Sequence, residues 1–232
     1  HAPGAPLLLR LPPLRGRELR VVRARREALR AQELHQRVAL GRLVAVHDAT
    51  VVRTPPQEGS NVGPDGLIYP GTCRPPKSNA TDDRAAQRLN MTAALSGRSK
   101  IAFQELAVDL QTAKNHMTFA SHFIDNIGDV VLSRRSGDAA YHLAVVVDDA
   151  AQNITHVVRG ADLLSATPIH ALLQHLLNYP TPIYHHHALI RDTDGKRLAK
   201  RDDAKAIAKF RDDGASPDDI RVMVGLPPRS KL

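Results

Sequence analysis

Apolar and polar positions fall into regular patterns only from residue 128 onward. GDVVLSRR, beginning at Gly128, alternates as a strand, and Ser136 to Asp138 forms a turn. YHLAVVVDDAAQ, beginning at Tyr141, is an apolar run ending in two acids and predicts a buried strand entering a helix. THVVRG is then a short strand. Ser165-Ala166-Thr167-Pro168 supplies a cap and a first-turn proline for the helix IHALLQHLLN, on which Leu172, Leu173, Leu176 and Leu177 share a face. Pro182 to Ile190 alternates as a strand, and Asp192 to Leu198 is a charged loop containing a glycine. Two helices follow, Ala204 to Asp212 and Pro217 to Val224, the second bounded by Ser216 and Gly225. This succession of strands and helices is an α/β order. Asp148, Asp149 and Asp162 read as carboxylates at helix N-termini.

The preceding part is less regular. Thr54 to Gly66 is turn-rich and marks a boundary. Leu67 to Tyr69 is a short apolar segment that leads through Pro70-Gly71-Thr72-Cys73 into a Pro-rich loop, together a compact knuckle. Residues 83 to 96 are Ala-rich and predict a helix, with LNMT open to a strand. Between Gly97 and Asn126 the pattern offers only a helix from Ala102 to Lys114.

Composition narrows the chemistry. Of the 232 residues, 42% are hydrophobic but only 3% aromatic, with no Trp, so the core must be built from Ala, Val, Leu and Ile. A single Cys excludes a disulfide framework and a multi-thiolate zinc site. No apolar run approaches the roughly 18 residues a membrane span needs, and no secretory pattern is visible, so a cytoplasmic chain is expected.

Charge is unevenly placed. Residues 1 to 55 carry eleven Arg, no Lys and four acids, while the rest of the chain is nearly balanced within the total of +8. Two explanations stand. A basic helix from Arg17 to Leu40 lies on RNA or on an acidic partner. Alternatively, residues 1 to 53 are an anomalous segment, not a native fold, left by a truncated or frame-shifted GC-rich reading frame.

YHLAVVVDDAAQNITHVVRGADLL, then TPIHALLQHLL, then YHHHALIRDTDGKRLAKRDDAKAIAKF, together resemble the catalytic domain of glutamyl-tRNA synthetases. They resemble more closely the short relatives of those enzymes, the glutamyl-queuosine tRNA(Asp) synthetases. LIYPGTCR, Leu67 to Arg74, looks like the second half of the short relatives' zinc knuckle, and the ending in VMVGL agrees with them. The resemblance covers roughly residues 54 to 226 and rests on several ordered motifs. It implies a partial class I aminoacyl-tRNA synthetase fold, Rossmann-like and α/β, over residues 54–201, with a helical stem and tail over 202–232.

The implied chemistry is attack of the glutamate carboxylate on the α-phosphate of Mg-bound ATP, then transfer of glutamate to the queuosine of tRNA(Asp). Positioning and charge neutralisation carry such a reaction. GKRLAKRDD resembles the family's KMSKS loop, placing it at Arg197-Leu198-Ala199-Lys200-Arg201, with Lys200 on the phosphates. The departures at Arg197, Ala199 and Arg201 leave the ammonium in place. Tyr141 and Arg159 match positions that the family uses for glutamate, and a guanidinium suits a carboxylate by its two parallel N–H groups. Only Tyr69 and Cys73 remain of the knuckle's ligands, too few for structural zinc. His185-His186-His187 reads as a packed strand beside the ATP site and not as a metal site.

Residues 1 to 55 contain no HIGH motif and no acidic RIEDxD segment. The expectation is therefore a monomeric chain with the second half of the active site, which does not activate glutamate by itself. A glutamyl-tRNA synthetase fragment and a non-catalytic tRNA-binding remnant are the alternatives.

Overall fold

The computed structural model describes residues 31–41, 43, 61–64, 66–69, 86–107, 112–191, 195 and 206–229. In chain order, residues 31–41 form a helix (α1). A two-stranded turn follows, β1 (Val62–Gly63) with β2 (Gly66–Leu67), then β3 (Gln87–Arg88) and the short α2 (Met91–Ala94). A hairpin of β4 (Lys100–Leu106) and β5 (Ala113–Phe119) leads into α3 (Ala120–His122), a π-turn Phe123–Ile127 and β6 (Val131–Ser133). The remainder is α4 (Tyr141–Ala151), β7 (His156–Gly160), a 3₁₀ stretch Ala161–Ala166, α5 (Thr167–Leu177), β8 (Ile183–His187), α6 (Ile207–Asp212) and α7 (Pro217–Met223).

The main sheet has the order β5-β4-β8-β7. β7 and β8 run parallel through five residue pairs with α5 as their crossover, the βαβ arrangement that the strand–helix–strand pattern predicts. β4 and β5 pair antiparallel through seven residues, whereas β4 meets β8 in parallel at one pair, Glu105 and Tyr184. Helix α5 is the centre of the core: among its residues only His175 is exposed, and Ile169, Leu172 and Leu173 are fully buried. The core also takes in Leu143, Val146 and Val147 of α4 and Phe103 of β4.

Two predicted elements are corrected. The Ala102 to Lys114 helix is the β4–β5 hairpin. In β4, Ile101 and Phe103 are buried between exposed neighbours, a period of two, but β5 lies at the sheet edge, almost wholly exposed, and has no apolar face to alternate. The run from Tyr141 is helix from its first residue and not a strand. Its buried positions, His142, Leu143, Val146 and Val147, recur at helical spacing, so packing against α5 overrides the β preference of three consecutive valines.

Smaller corrections concern helix ends. Residues 83 to 96 contribute a strand and one helical turn, the turn capped by Asn90, which accepts from the Ala93 N–H at 3.2 Å. Ser165 does not cap α5; the 3₁₀ stretch runs directly into it with Pro168 in the first turn. Asp148 and Asp149 lie in the last turns of α4, the negative end of the helix dipole, and not at its N-terminus. The Ser216 cap of α7 is present as a reciprocal capping box with Asp219, and Gly225 follows with φ of 77°.

Within the Arg-rich segment, Ala39 of α1 and Leu43 just beyond it are fully buried in the core. Gln32 and Gln36 of α1 both donate to the Asp148 carboxylate. No described helix is long and apolar enough to cross a membrane.

Candidate functional site

At the C-terminal ends of β7 and β8, beside the start of α5, lies a part-buried chain of polar side chains. Arg159, near the end of β7, is its hub. Its Nε donates to His186 Nε2 at 3.0 Å, Nη1 meets His170 Nδ1 at 3.0 Å, and Nη2 donates to Thr167 Oγ1 at 2.7 Å. The guanidinium carbon also lies 5.1 Å from the Tyr184 ring centre, against the electron-rich face.

Arginine has only donors, so each ring nitrogen that meets it must accept, and this fixes the histidine tautomers. His170 carries its proton on Nε2, which donates to His142 Nδ1 at 2.8 Å. His186 carries its proton on Nδ1, which faces both Glu105 carboxylate oxygens at 2.8 and 2.9 Å. The Thr167 hydroxyl has Leu163 O at 3.1 Å and His186 Nε2 at 3.0 Å as acceptors for its single hydrogen.

Electrostatics agree with these assignments. Burial, then the charge of Arg159, pushes His170 down to about 2, so it is neutral across the physiological range. Burial also lowers His186, against the hydrogen bond and charge of Glu105. The Asp149 carboxyl is pushed up by burial and by neighbouring Asp148, and held down by Arg159. Burial pushes the Tyr184 phenol up, while its oxygen receives Gln174 Nε2 at 2.9 Å.

Of its five N–H groups, Arg159 commits Nε–H and one on each terminal nitrogen. The second N–H of Nη2 donates to Leu163 O at 3.4 Å, so among the described residues one N–H, on Nη1, is without an acceptor. Nη1 is therefore the nitrogen from which the guanidinium has a hydrogen to offer a carboxylate. Tyr141, the other residue expected to meet glutamate, begins α4 and is 47% exposed. Its ring packs edge-on against His142 at 5.4 Å and His170 at 5.9 Å, so Tyr141 and Arg159 converge on one imidazole.

Arg197, Leu198, Ala199, Lys200 and Arg201 lie outside the described residues, as does Cys73. The loop that leads to Lys200 begins with Arg191 Nη1 donating to Gly195 O at 2.9 Å, and Gly195 takes φ of 76°, where a side chain would be strained. Tyr69 is buried, with the Arg88 guanidinium 5.2 Å from its ring centre. Among the described residues no group of three or more candidate metal ligands is assembled.

Sequence reasoning missed Glu105, Thr167, His142 and His170 as members of the site. A signal existed for the two histidines: each interrupts an otherwise apolar helical face, in YHLAVV and in IHALL. Of the three consecutive histidines, the middle one joins the network, because it shares a strand face with buried Tyr184 and its ring stacks near it at 6.0 Å. His185 Nδ1 lies 3.2 Å from Leu106 O, and His187 Nδ1 lies 2.9 Å from its neighbour Ala188 O.

A family model of the catalytic domain of class I tRNA synthetases (E and Q) matches residues 98–226, more than half of the chain. The chain belongs to this family. The family is one of ligases, and the mixed sheet with its parallel β7–α5–β8 unit is the α/β part of its catalytic domain. It is 50% identical over 175 residues to the glutamyl-Q tRNA(Asp) synthetase of Rhodobacter capsulatus, covering 74% of this chain and 61% of that one. To the protein of the same name from Nocardia farcinica it is 42% identical over 172 residues, covering 72% and 51%. This class I synthetase chain thus spans about half to three fifths of the length of these relatives. A glutamate tRNA ligase structure from Elizabethkingia meningosepticum is 29% identical over 44% of the chain and 19% of its own, with a TM-score of 0.36.

Proposed function

We propose that this chain forms the glutamate-binding part of a synthetase that activates L-glutamate with ATP, without tRNA, and transfers it to the queuosine of tRNA(Asp). One observation carries the reading: Tyr141 and Arg159, from different elements, meet at His170, with an Nη1 hydrogen of the guanidinium that has no acceptor among the described residues. The name shared by the relatives in Rhodobacter and Nocardia supports the choice of acceptor.

In this reading Arg159 grips the side-chain carboxylate of glutamate and Tyr141 donates its phenol to the substrate. The α-carboxylate oxygen attacks the α-phosphorus, the bond to the bridging oxygen breaks, and pyrophosphate leaves. Lys200, within Arg197 to Arg201, offsets the negative charge that builds on the phosphates. A hydroxyl of queuosine then attacks the activated carbonyl and AMP departs. Residues 54–201 form the catalytic part and 202–232 a stem and tail. The chain works in the cytoplasm as a monomer.

Glutamate-dependent ATP–pyrophosphate exchange without tRNA, measured on this chain beside Lys200→Ala, tests the reading. Exchange that disappears in the variant supports it, and exchange that persists removes Lys200 from the phosphate site. A folded chain that binds L-glutamate yet shows no exchange has the amino-acid site alone.

A further inference from the structure

Two histidines hold Arg159, and one of them is itself held by a carboxylate from a distant part of the chain. Glu105, near the end of β4 and 81 residues before His186, accepts the His186 backbone N–H at 2.9 Å and the ring Nδ1–H at 2.8 and 2.9 Å. Among the described residues, the hydrogen bonds of this carboxylate all end on His186. The pair is shielded from water, with 2% of the His186 side chain and 15% of the Glu105 side chain exposed. Placing a carboxylate there costs solvation that an apolar residue would not, so its contacts must supply something that strand pairing alone does not.

We propose that Glu105 is a positioning residue of the glutamate site. By taking the Nδ1 proton, it fixes the tautomer and plane of the His186 ring, whose Nε2 lone pair then holds Nε–H of Arg159. The guanidinium thereby stays in place for the acidic substrate. Without the carboxylate, Nδ1 has no acceptor and the imidazole proton is free to move to Nε2. There it faces the Arg159 Nε–H, donor against donor, and the guanidinium must swing away. This rests on the reading of Arg159 as the glutamate anchor. The same logic separates Glu105→Gln from Glu105→Ala: the amide oxygen of Gln still accepts Nδ1–H, and the methyl group of Ala does not.

Side-chain ¹⁵N NMR of the histidines, combined with titration by L-glutamate and by its neutral isostere L-glutamine, tests this on the chain as it stands. His186 is expected as the Nδ1–H tautomer in the parent and in Glu105→Gln, and as Nε2–H in Glu105→Ala. The dissociation constant for L-glutamate should rise about tenfold in Glu105→Ala, as for loss of a hydrogen bond to a charged group, and stay within about threefold in Glu105→Gln. The preference for L-glutamate over L-glutamine should fall with it, a change that general loosening of the fold would not produce. If Glu105→Ala unfolds, Glu105→Leu keeps the volume and serves in its place. An Nε2–H tautomer in the parent, or unchanged glutamate affinity and preference in the alanine or leucine variant, overturns the positioning role alone. A parent that holds the Nδ1–H tautomer but shows no binding of L-glutamate overturns the anchor reading, and the positioning role with it.

Discussion

The β7–α5–β8 unit and the α6–α7 pair are each built from short elements joined by turns, yet they are stabilised in opposite ways. Ten of the eleven α5 residues are buried, and the polar side chains around it find partners on other elements. α6 and α7 bury no residue, and among the described residues their hydrogen bonds and ion pairs run to neighbours in sequence: the Ser216–Asp219 capping box, Arg221 Nε donating to Pro227 O, and the Lys209–Asp213 pair at 3.4 Å. The unit that carries the site is fixed by tertiary contacts, and the terminal pair by local chemistry.

The contrast breaks most clearly at Leu172. Leu172→Ala should lower the unfolding free energy by about 3 kcal/mol, through lost burial and a residual cavity, as read by urea denaturation. A loss no larger than that of an exposed α7 residue would show that α5 is not the core. His170 sharpens it next. Its pKa is about 2 in the fold against 6.5 for the free imidazole, so the unfolded chain takes up a proton that the native one refuses. Stability from this group is full above pH 6.5 and falls as pH drops toward 2, by about 1.4 kcal/mol per pH unit. Replacement by Gln should flatten that slope in pH-dependent unfolding measurements.

On the other side, Ser216→Ala should cost about 1 kcal/mol, the usual value of an N-cap, without changing glutamate affinity. The smallest effect belongs to Lys209→Ala. An exposed i,i+4 pair is worth about 0.3 kcal/mol, and this should vanish in high salt in thermal melts.

Legibility in the sequence follows the same division. Ser216, Pro217 and Gly225 announce α7 because a cap acts within four residues of itself. The β7–α5–β8 order was readable because strand alternation and the leucine stripe are also local. Helix α4 was not: VVV favours a strand until α5 supplies a surface that rewards the helical face of His142, Val146 and Val147. The β4–β5 hairpin was hidden because an exposed edge strand needs no apolar alternation. Tyr141 and Arg159 came into view through family likeness, whereas Glu105 and His186, 81 residues apart, are joined only by sheet register.

That register has a consequence for how the molecule opens. β4 and β8 are paired at a single position, and the residue on the β4 side is Glu105. The hairpin retains its seven internal pairs if that contact parts, and β7 and β8 retain their five. Glu105 thus carries the ladder contact and, through its side chain, the hold on His186, while Phe103 of β4 packs against Tyr184 in the shared core. Any opening at this seam must expose Phe103 and part Glu105 from His186, so it would loosen the guanidinium of Arg159 at the same moment.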